Sequence, residues 1–338
     1  MSLWTKRHRI PVTGFCSEAA STIFEGKIWT VCDASDKEVE PCRTRIFVFD
    51  PETEVFTEKN CVVPEIWLAN LQYLAADDKN LYLWRRSAQD GREHDFHLFK
   101  LNRATMEWET VLNIRRGGYF DSILIINQIM HILEIDTYTA NLIRIDLQKS
   151  EVVDIKLLST GEHGRLFFHN NVLFLSMYGR VEKVYVNENG ETKEVARKEH
   201  PNGSVRVFDE NVSVFYWHHG EQFVFKAHNF DFNTLKWESE VNNPDWPAFR
   251  RSELYMYSES CVKINGSIYV LIRYLLKRGF ELRQLDLHPK LTSICLADLS
   301  KRLFKKEDAQ KLKEVKQQLP IHLRTQLENL LIWKSGMR

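Results

Sequence analysis

The sequence predicts an all-β fold made of six similar sheets, followed by a short helical segment near the C-terminus. Three observations lead to this prediction. Apolar and polar residues alternate along most of residues 1–288, which is the period of a half-buried strand. One strand-and-turn pattern recurs six times within that range. In residues 289–331, by contrast, apolar residues are spaced as on one face of a helix.

The composition is that of a folded protein without a membrane span. The chain has 338 residues, of which 43% are hydrophobic and 12% aromatic, enough for a sizeable core. Its first ten residues lack the apolar stretch of a signal peptide. We therefore expect the six cysteines to be reduced and the protein to be cytoplasmic, nuclear or both. Since no apolar run reaches about 18 residues, we expect no transmembrane helix.

The recurring unit is a polar turn followed by an apolar strand. Its copies begin roughly 40 to 55 residues apart, around the spacing expected of propeller blades. The six copies span residues 25–31, 78–84, 127–133, 170–175, 210–216 and 265–271. A second signal is in phase with the first, because strand pairs joined by tight Asp-Pro or Asn-Thr turns follow several copies. The clearest of these pairs are 49–56, 101–108 and 230–237.

The sixth copy lacks this last strand, and the chain turns instead to Pro289. At the other end of the chain, residues 3–7 resemble the last strands at 55–59 and 236–239. The sequence therefore predicts that an N-terminal strand completes the last sheet and closes a ring. Closure removes the exposed sheet edges that a radial fold would otherwise leave.

Residues 1–288 resemble a six-bladed, kelch-like β-propeller. The turns of the Phe-Asp-x-x-Thr-x-x-Trp kind support this resemblance. The sequence departs from the kelch pattern in one respect: kelch blades usually have a Gly-Gly pair after the second strand, and no blade has one here. Gly117-Gly118 lies between blades instead, and the Trp-Asp repeat signature is also absent.

Residues 289–338 are predicted to form a separate segment of three short amphipathic helices. Pro289 suits the start of the first helix, and Pro320 suits the first turn of the third. The segment contains eleven Lys or Arg against five Asp or Glu. We interpret this excess as a solvated helix face and expect no nucleic-acid or membrane partner.

The first helix resembles the elongin C-binding box of SOCS-box and von Hippel–Lindau-type proteins. That box has a Leu, a Cys and an aliphatic residue four positions apart, matched by Leu291, Cys295 and Leu299. Lys290 departs from it, since a small residue or Pro usually precedes the Leu. The resemblance implies that Leu291 enters an apolar pocket of elongin C, the partner of elongin B.

The third helix resembles the cullin-selecting box of the same proteins. Leu319, Pro320, Leu323 and Leu327 match its cullin-2 form. The cullin-5 form usually has a second Pro where this chain has His322. The resemblance therefore implies cullin-2 rather than cullin-5 as the partner.

The sequence contains no catalytic motif of useful specificity. A Walker loop, an H-E-x-x-H helix and a G-x-S-x-G elbow are all absent. His218 and His219 are adjacent on a predicted strand, so they point to opposite faces and are not expected to share a metal ion. We expect a protein without catalytic residues, metal or cofactor.

Arginine beside aromatic residues is predicted to form a substrate-binding face at one end of the ring. This composition is typical of binding hot spots, and guanidinium groups suit capture of a carboxylate such as a peptide C-terminus or an acidic segment. The candidates are Arg85, Arg86, Arg115, Arg116, Trp217, Arg250, Arg251, Arg273 and Tyr274. The alternative is that these arginines pair with neighbouring acids of the propeller.

Together the resemblances imply a substrate receptor of an elongin B/C–cullin-2 ubiquitin ligase, in which the propeller binds a client protein. One alternative stays open at this point. The propeller would then be an interaction scaffold for cytoskeletal or signalling partners, with the helical segment as a structural cap or oligomerisation element.

Overall fold

The computed structural model confirms the all-β prediction. It describes residues 4–11, 16–34, 43–61, 71–87, 94–136, 139–158, 164–177, 180–184, 192–197, 203–207, 212–219, 222–231, 234–240, 248–250, 254–264, 267–274 and 279–286. These residues contain strands and turns but no helix. They accordingly offer no helix that is long and apolar enough to cross a membrane.

The strands of the described residues are numbered along the chain. They are β1 (Trp4–Arg9), β2 (Cys16–Phe24), β3 (Lys27–Ala34), β4 (Arg43–Asp50), β5 (Val55–Lys59), β6 (Leu71–Ala76), β7 (Leu81–Arg86), β8 (His94–Asn102), β9 (Glu107–Arg116), β10 (Tyr119–Ile126), β11 (Ile129–Asp136), β12 (Thr139–Asp146), β13 (Glu151–Leu157), β14 (Gly164–His169), β15 (Val172–Met177), β16 (Arg180–Val184), β17 (Thr192–Arg197), β18 (Gly203–Val207), β19 (Val212–His219), β20 (Gln222–Asp231), β21 (Lys236–Glu240), β22 (Ala248–Arg250), β23 (Leu254–Ile264), β24 (Ser267–Tyr274) and β25 (Gly279–Asp286).

The described strands pair into six antiparallel sheets. Four of them are regular meanders of four consecutive strands: β2–β5, β6–β9, β10–β13 and β14–β17. The fifth, β18–β21, has an additional short strand, because β21 and β22 pair with different parts of β20. The sixth has the order β1-β25-β24-β23 and so combines the two ends of the described chain.

The N-terminal strand completes the last sheet, as its likeness to the other outer strands predicts. Trp4 pairs with Leu285, and Arg9 pairs with Glu281. The ring of His8 also lies 4.6 Å from the ring of Phe49, between centroids, so β1 contacts the first meander as well. The strand therefore covers the edge of β25 that would otherwise be exposed.

The sheets stand side by side in chain order, which makes the arrangement propeller-like. Along the first five sheets, the first strand contacts the first strand of the next sheet, through the pairs β2–β6, β6–β10, β10–β14 and β14–β18. In addition, β23 of the last sheet contacts β2 of the first. The first strands are therefore the innermost ones, and the fourth strands lie at the outside.

Apolar side chains fill the spaces between neighbouring sheets. Because alternate residues of a strand point to opposite faces, one sheet can contribute to two cores. On β11, for example, Ile132 packs towards β6–β9, whereas Leu133 packs towards β14–β17. A similar core joins the last sheet to the first, with Tyr269 and Phe49 among its members.

The turns between the third and fourth strands explain the repeat seen in the sequence. Asp50, Asn102 and Asp146 each accept backbone N–H groups two and three residues ahead through a side-chain oxygen. Such Asx turns compete well with continued strand. The residue four positions after each of them has a positive φ, as does Leu235 in the equivalent turn of the fifth sheet; the four are Glu54, Met106, Ser150 and Leu235.

The turns between first and second strands also recur. Both turn residues have positive φ in Glu25-Gly26, Asn127-Gln128 and Asn170-Asn171. Two consecutive left-handed residues are the geometry of the tight hairpin turn that matches strand twist. In these three copies, the polar residues that open the sequence pattern are thus the turn itself, and the second strand of the sheet follows.

The chain divides into two compact units, one of residues 2–285 and the other of residue 1 with residues 286–338. The propeller-like prediction is confirmed for the first unit. The finer prediction of a six-bladed, kelch-like ring stays a prediction, as does the boundary between residues 288 and 289. The three helices predicted for residues 289–338 lie outside the described residues.

Candidate functional site

The first two predicted arginine pairs lie at the same end of one sheet. Arg85-Arg86 ends β7, and Arg115-Arg116 ends β9. β8 runs between these two strands, with Arg86 opposite Phe96 and His94 opposite Arg116. The strand registers therefore bring both pairs to one edge of the sheet β6–β9.

Strand alternation sends only one arginine of each pair towards the next sheet. Trp84 and Phe96 pack in the core shared with β10–β13, and Arg86 lies on their face of the sheet. His94 is on this face too, together with Arg116 opposite it. Arg85 and Arg115 lie on the other face, where Arg85 is opposite His97. We call the group formed by Arg86, His94 and Arg116, which lies next to the aromatic core on the face towards β10–β13, the polar cleft.

The other side of the polar cleft contains a buried acid. Glu134 lies in β11, and its side chain is only 1% exposed. Arg116 donates to it through Nε at 3.0 and 3.1 Å and through Nη2 at 2.5 Å. Asn141 adds a hydrogen bond from Nδ2 to Oε2 at 3.0 Å. An uncompensated carboxylate at this depth would be strongly destabilising, so the arginine stabilises the buried acid.

Gly118 explains why Glu134 fits at this place. A Cβ atom at residue 118 would lie 2.7 Å from Glu134 Cγ and 2.6 Å from the carbonyl oxygen of Ile135. Both distances are below van der Waals contact, and the second atom belongs to the backbone. The glycine directly after Arg115-Arg116-Gly117 therefore allows the start of β10 to approach β11 closely.

Arg86 differs from Arg116 because the described residues offer it no acid. Its side chain is partly buried, and its Nε atom is inaccessible to solvent and has no hydrogen-bond partner among the described residues. His94 Nδ1 is also buried and has no partner in the described part of the chain. Burial, and then the charge of Arg86, lower the pKa of His94 below its ordinary value. Buried polar atoms are nearly always hydrogen-bonded, so two such atoms on one face are notable.

A group of aromatic rings forms the floor of the polar cleft. Phe96 stacks on Phe120 with ring centroids 4.0 Å apart, and Trp84 meets Phe120 edge-on at 5.3 Å. All three side chains are fully buried. Trp84 Nε1 donates to Met130 Sδ at 3.0 Å, which joins the two sheets below the polar groups. The apolar floor lowers the local dielectric and strengthens ionic contacts above it.

The charges of the polar cleft do not cancel. Arg116 and Glu134 neutralise each other, and the lowered pKa of His94 favours its neutral form near pH 7. Among the described residues, the charge of Arg86 is not balanced by an acid. The described side chains are chemically suited to hold an anion, and they include no nucleophile with a base beside it.

The remaining predicted substrate-binding residues are not brought into this cleft by the described structure. Trp217, Arg250, Arg273 and Tyr274 lie at the corresponding ends of their own sheets, in β19, β22 and β24. Their side chains are outside the described part of the chain. So is Arg251, and so are all residues of the two predicted docking helices: Leu291, Cys295, Leu299, Leu319, Pro320, Leu323 and Leu327.

Sequence reasoning did not single out His94, Glu134 or Asn141. A signal for Glu134 exists, because it is the only acid within the apolar run Ile129–Ile135 of β11. A buried strand with one carboxylate needs a cationic partner from a neighbouring element. His94 had no such signal, since its role depends on the register that places it opposite Arg116.

A second polar row on β11–β13 has a structural role. His131 lies opposite Arg144, which pairs with Asp154 through Nε at 2.7 Å. Burial lowers the pKa of His131 to about 4, with a further contribution from Arg144. No group of three potential metal ligands occurs among the described residues.

Comparison with known proteins adds no family. No protein-family model matches the chain. No curated protein matches it either. The functional argument therefore depends on the polar cleft and on the sequence of residues 289–331.

Proposed function

We propose that this protein is the substrate-recognition subunit of an elongin B/C–cullin-2 ubiquitin ligase. The propeller-like unit would bind the client protein, and the C-terminal segment would dock on elongin C and cullin-2. The observation that supports client binding most strongly is the partly buried Arg86 beside His94, which has no acid partner among the described residues. Such a subunit needs no catalytic group, metal or cofactor of its own.

The finer fold belongs to the same proposal. We take the six sheets as the blades of one closed, kelch-like ring, in which β1 supplies the outer strand of the last blade. The contacts of successive innermost strands support this arrangement, as does the contact of β23 with β2. A ring of this kind brings the ends of several blades to one face, where binding loops gather.

The docking roles follow from the resemblance of the C-terminal segment. Leu291, Cys295 and Leu299 would contact elongin C, and Leu319, Pro320, Leu323 and Leu327 would select cullin-2 over cullin-5. A buried Cys295 would act as a small apolar side chain there and not as a nucleophile. The complex would work in the cytoplasm or the nucleus.

Affinity purification from cells that contain elongin B, elongin C and both cullins tests the proposal. The wild-type chain should bring down elongin C and cullin-2, and L291A/C295A should lose both. The matched variant L323A/L327A should lose cullin-2 but retain elongin C, because it alters only the third predicted helix. Recovery of wild-type protein without elongin C would refute the ligase assignment.

The scaffold alternative predicts a different effect of the same variant, measured on the purified protein. A cap or oligomerisation helix needs its apolar residues for stability of the isolated protein. L291A/C295A would then lower the melting temperature of purified protein or change its mass in solution, with elongin C absent from the wild-type sample.

A further inference from the structure

The polar cleft contains one positive charge that the described residues leave unmatched. We propose that it binds a single carboxylate group of a peptide, with Arg86 as the ionic partner and His94 as a second hydrogen-bond donor. The inference rests on the proposed client-binding function and specifies the chemical group recognised at that site.

Arg86 is placed for this role by its strand and its burial. It ends β7 on the face that looks towards β10–β13, opposite Phe96. Its Nε atom is shielded from solvent and has no partner among the described residues. A buried N–H group that has lost water without gaining an acceptor is unfavourable, so an acceptor that reaches this Nε–H group forms a hydrogen bond without displacing water from it.

The charge of the ligand group follows from Glu134. This carboxylate is already saturated by Arg116 and Asn141, and it lies across the same cleft. A phosphate group brings about −1.5 to −2 charges near pH 7, and Arg86 alone cannot balance them because Arg116 is already paired with Glu134. A carboxylate brings a single negative charge, which Arg86 alone can balance.

His94 supplies a directional contact. It lies on the same face as Arg86, opposite Arg116, and its Nδ1 atom is buried without a partner. In its neutral form with the proton on Nδ1, it can donate to one carboxylate oxygen while Arg86 donates to the other. Neither donor has to break an existing hydrogen bond within the described structure.

Titration of the full-length protein with small anions tests the inference. Binding is monitored by NMR of the arginine Nε–Hε signals. The probes are acetate, N-acetylglutamic acid α-amide, N-acetylalanine and methyl phosphate. The Arg86 signal, assigned by its absence in R86Q, should shift saturably with the three carboxylates and more weakly with methyl phosphate. The glutamate and alanine derivatives distinguish a side-chain carboxylate from a chain terminus by their relative affinities.

Single substitutions test whether Arg86 and His94 form the binding site. R86Q should weaken carboxylate binding about tenfold, as expected for loss of a charge-assisted hydrogen bond. H94F should weaken it by a smaller factor. R144Q is the matched control, since Arg144 already pairs with Asp154 on the opposite face of β10–β13, and it should leave binding unchanged. Melting temperatures near wild type show that each variant is folded.

Three outcomes would overturn the inference. The first is a missing or non-saturable shift of the Arg86 signal, and the second is tighter binding of methyl phosphate than of acetate. The third concerns Asp90 and Glu93, which follow Arg86 closely in sequence. If D90N/E93Q alone strengthens acetate binding about tenfold, the protein's own hairpin supplies the carboxylate.

The inference and the proposed function fail in distinguishable ways. Loss of the ligase assignment appears as wild-type protein without elongin C, whatever the NMR titration gives. Failure of the carboxylate site appears in the titration alone, with elongin C still bound.

Discussion

Arg116 and Glu134 join two neighbouring sheets through a buried ion pair. The arginine comes from the end of the outer strand β9, and the acid comes from β11, the second strand of the next sheet. The side chain of Arg116 is 26% exposed, whereas that of Glu134 is 1% exposed. The acid is therefore the partner that depends on the pair.

Loss of the arginine alone should be costly. R116M leaves a buried carboxylate with only Asn141, and we expect the free energy of unfolding to fall by about 3–5 kcal/mol. The double variant R116M/E134L removes both charges and should recover most of that loss. Urea unfolding at pH 7 measures both.

A pair with an exposed acid serves as the control for this prediction. Arg45 and Glu58 form a bidentate contact at 2.6 Å between β4 and β5, and the side chain of Arg45 is 20% exposed whereas that of Glu58 is 43% exposed. R45M should cost less than about 1 kcal/mol. A loss in R116M no larger than in R45M would contradict the role assigned to burial.

Gly118 should not accept a side chain. We expect G118A to lower the free energy of unfolding by about 1–3 kcal/mol, since its Cβ would overlap Glu134 and the backbone of Ile135. Thermal unfolding measures the loss. G26A is the comparison, because nothing lies within 4 Å of a Cβ there and only the positive φ of 70° opposes it. If E134A fails to relieve part of the G118A defect, the clash is not with the acid.

Stability should depend on pH through His131. Its pKa is lowered from about 6.5 in the unfolded chain to about 4 in the folded protein. Between these values the unfolded state binds more protons, so stability rises with pH there and falls as the solution is acidified. The full shift corresponds to roughly 3 kcal/mol.

Denaturant unfolding between pH 4 and 7 tests this dependence. H131Q should flatten the profile in that range. H97N is the control, because His97 is only partly buried and forms a hydrogen bond with Asn113 at 2.8 Å. An unchanged slope in H131Q would assign the pH dependence to other groups.

A turn residue offers a stabilising substitution. Ser150 is exposed and has a φ of 57°, a left-handed conformation that costs roughly 1–2 kcal/mol for a residue with a Cβ. Glycine removes this strain, and the gain exceeds the cost of its larger conformational entropy in the unfolded chain. We therefore expect S150G to raise the melting temperature by a few degrees. S150A keeps the Cβ and should leave it unchanged. A lower melting temperature in S150G than in S150A would refute the argument.

Removal of the N-terminal strand should harm solubility as well as stability. Deletion of residues 1–9 removes β1 and exposes the edge of β25, together with the contact of His8 with Phe49. An unprotected edge pairs with other chains, so we expect concentration-dependent aggregation in light scattering. R9A, which removes one outer side chain but keeps the strand, should remain soluble.

The sequence was informative about the fold where local chemistry decides the structure. Turn residues such as Asp50 and Asn102 act through their own backbone, so they could be recognised without knowledge of the rest of the chain. The place of β1 in the last sheet could be predicted because its sequence resembles those of other outer strands. Arginines at strand ends were visible in the same way.

The polar cleft could be predicted only in part. Which arginine of a pair enters the cleft depends on strand register, and the partner of Arg116 lies in another sheet. The sequence left open whether these arginines are paired or available. The structure gives one of each kind, Arg116 with its acid and Arg86 without one among the described residues.

The pairing of Trp4 with Leu285 also concerns how the protein is made. During translation, the N-terminal part of the chain leaves the ribosome before the rest. Trp4 of β1 therefore emerges about 280 residues before its partner Leu285 of β25. Until then the earlier sheets can fold one after another, while β1 waits unpaired. Synthesis that stops before β25 would leave a chain with a free strand at its start, a substrate for chaperones and proteases. The last sheet therefore cannot be complete until translation has passed residue 286.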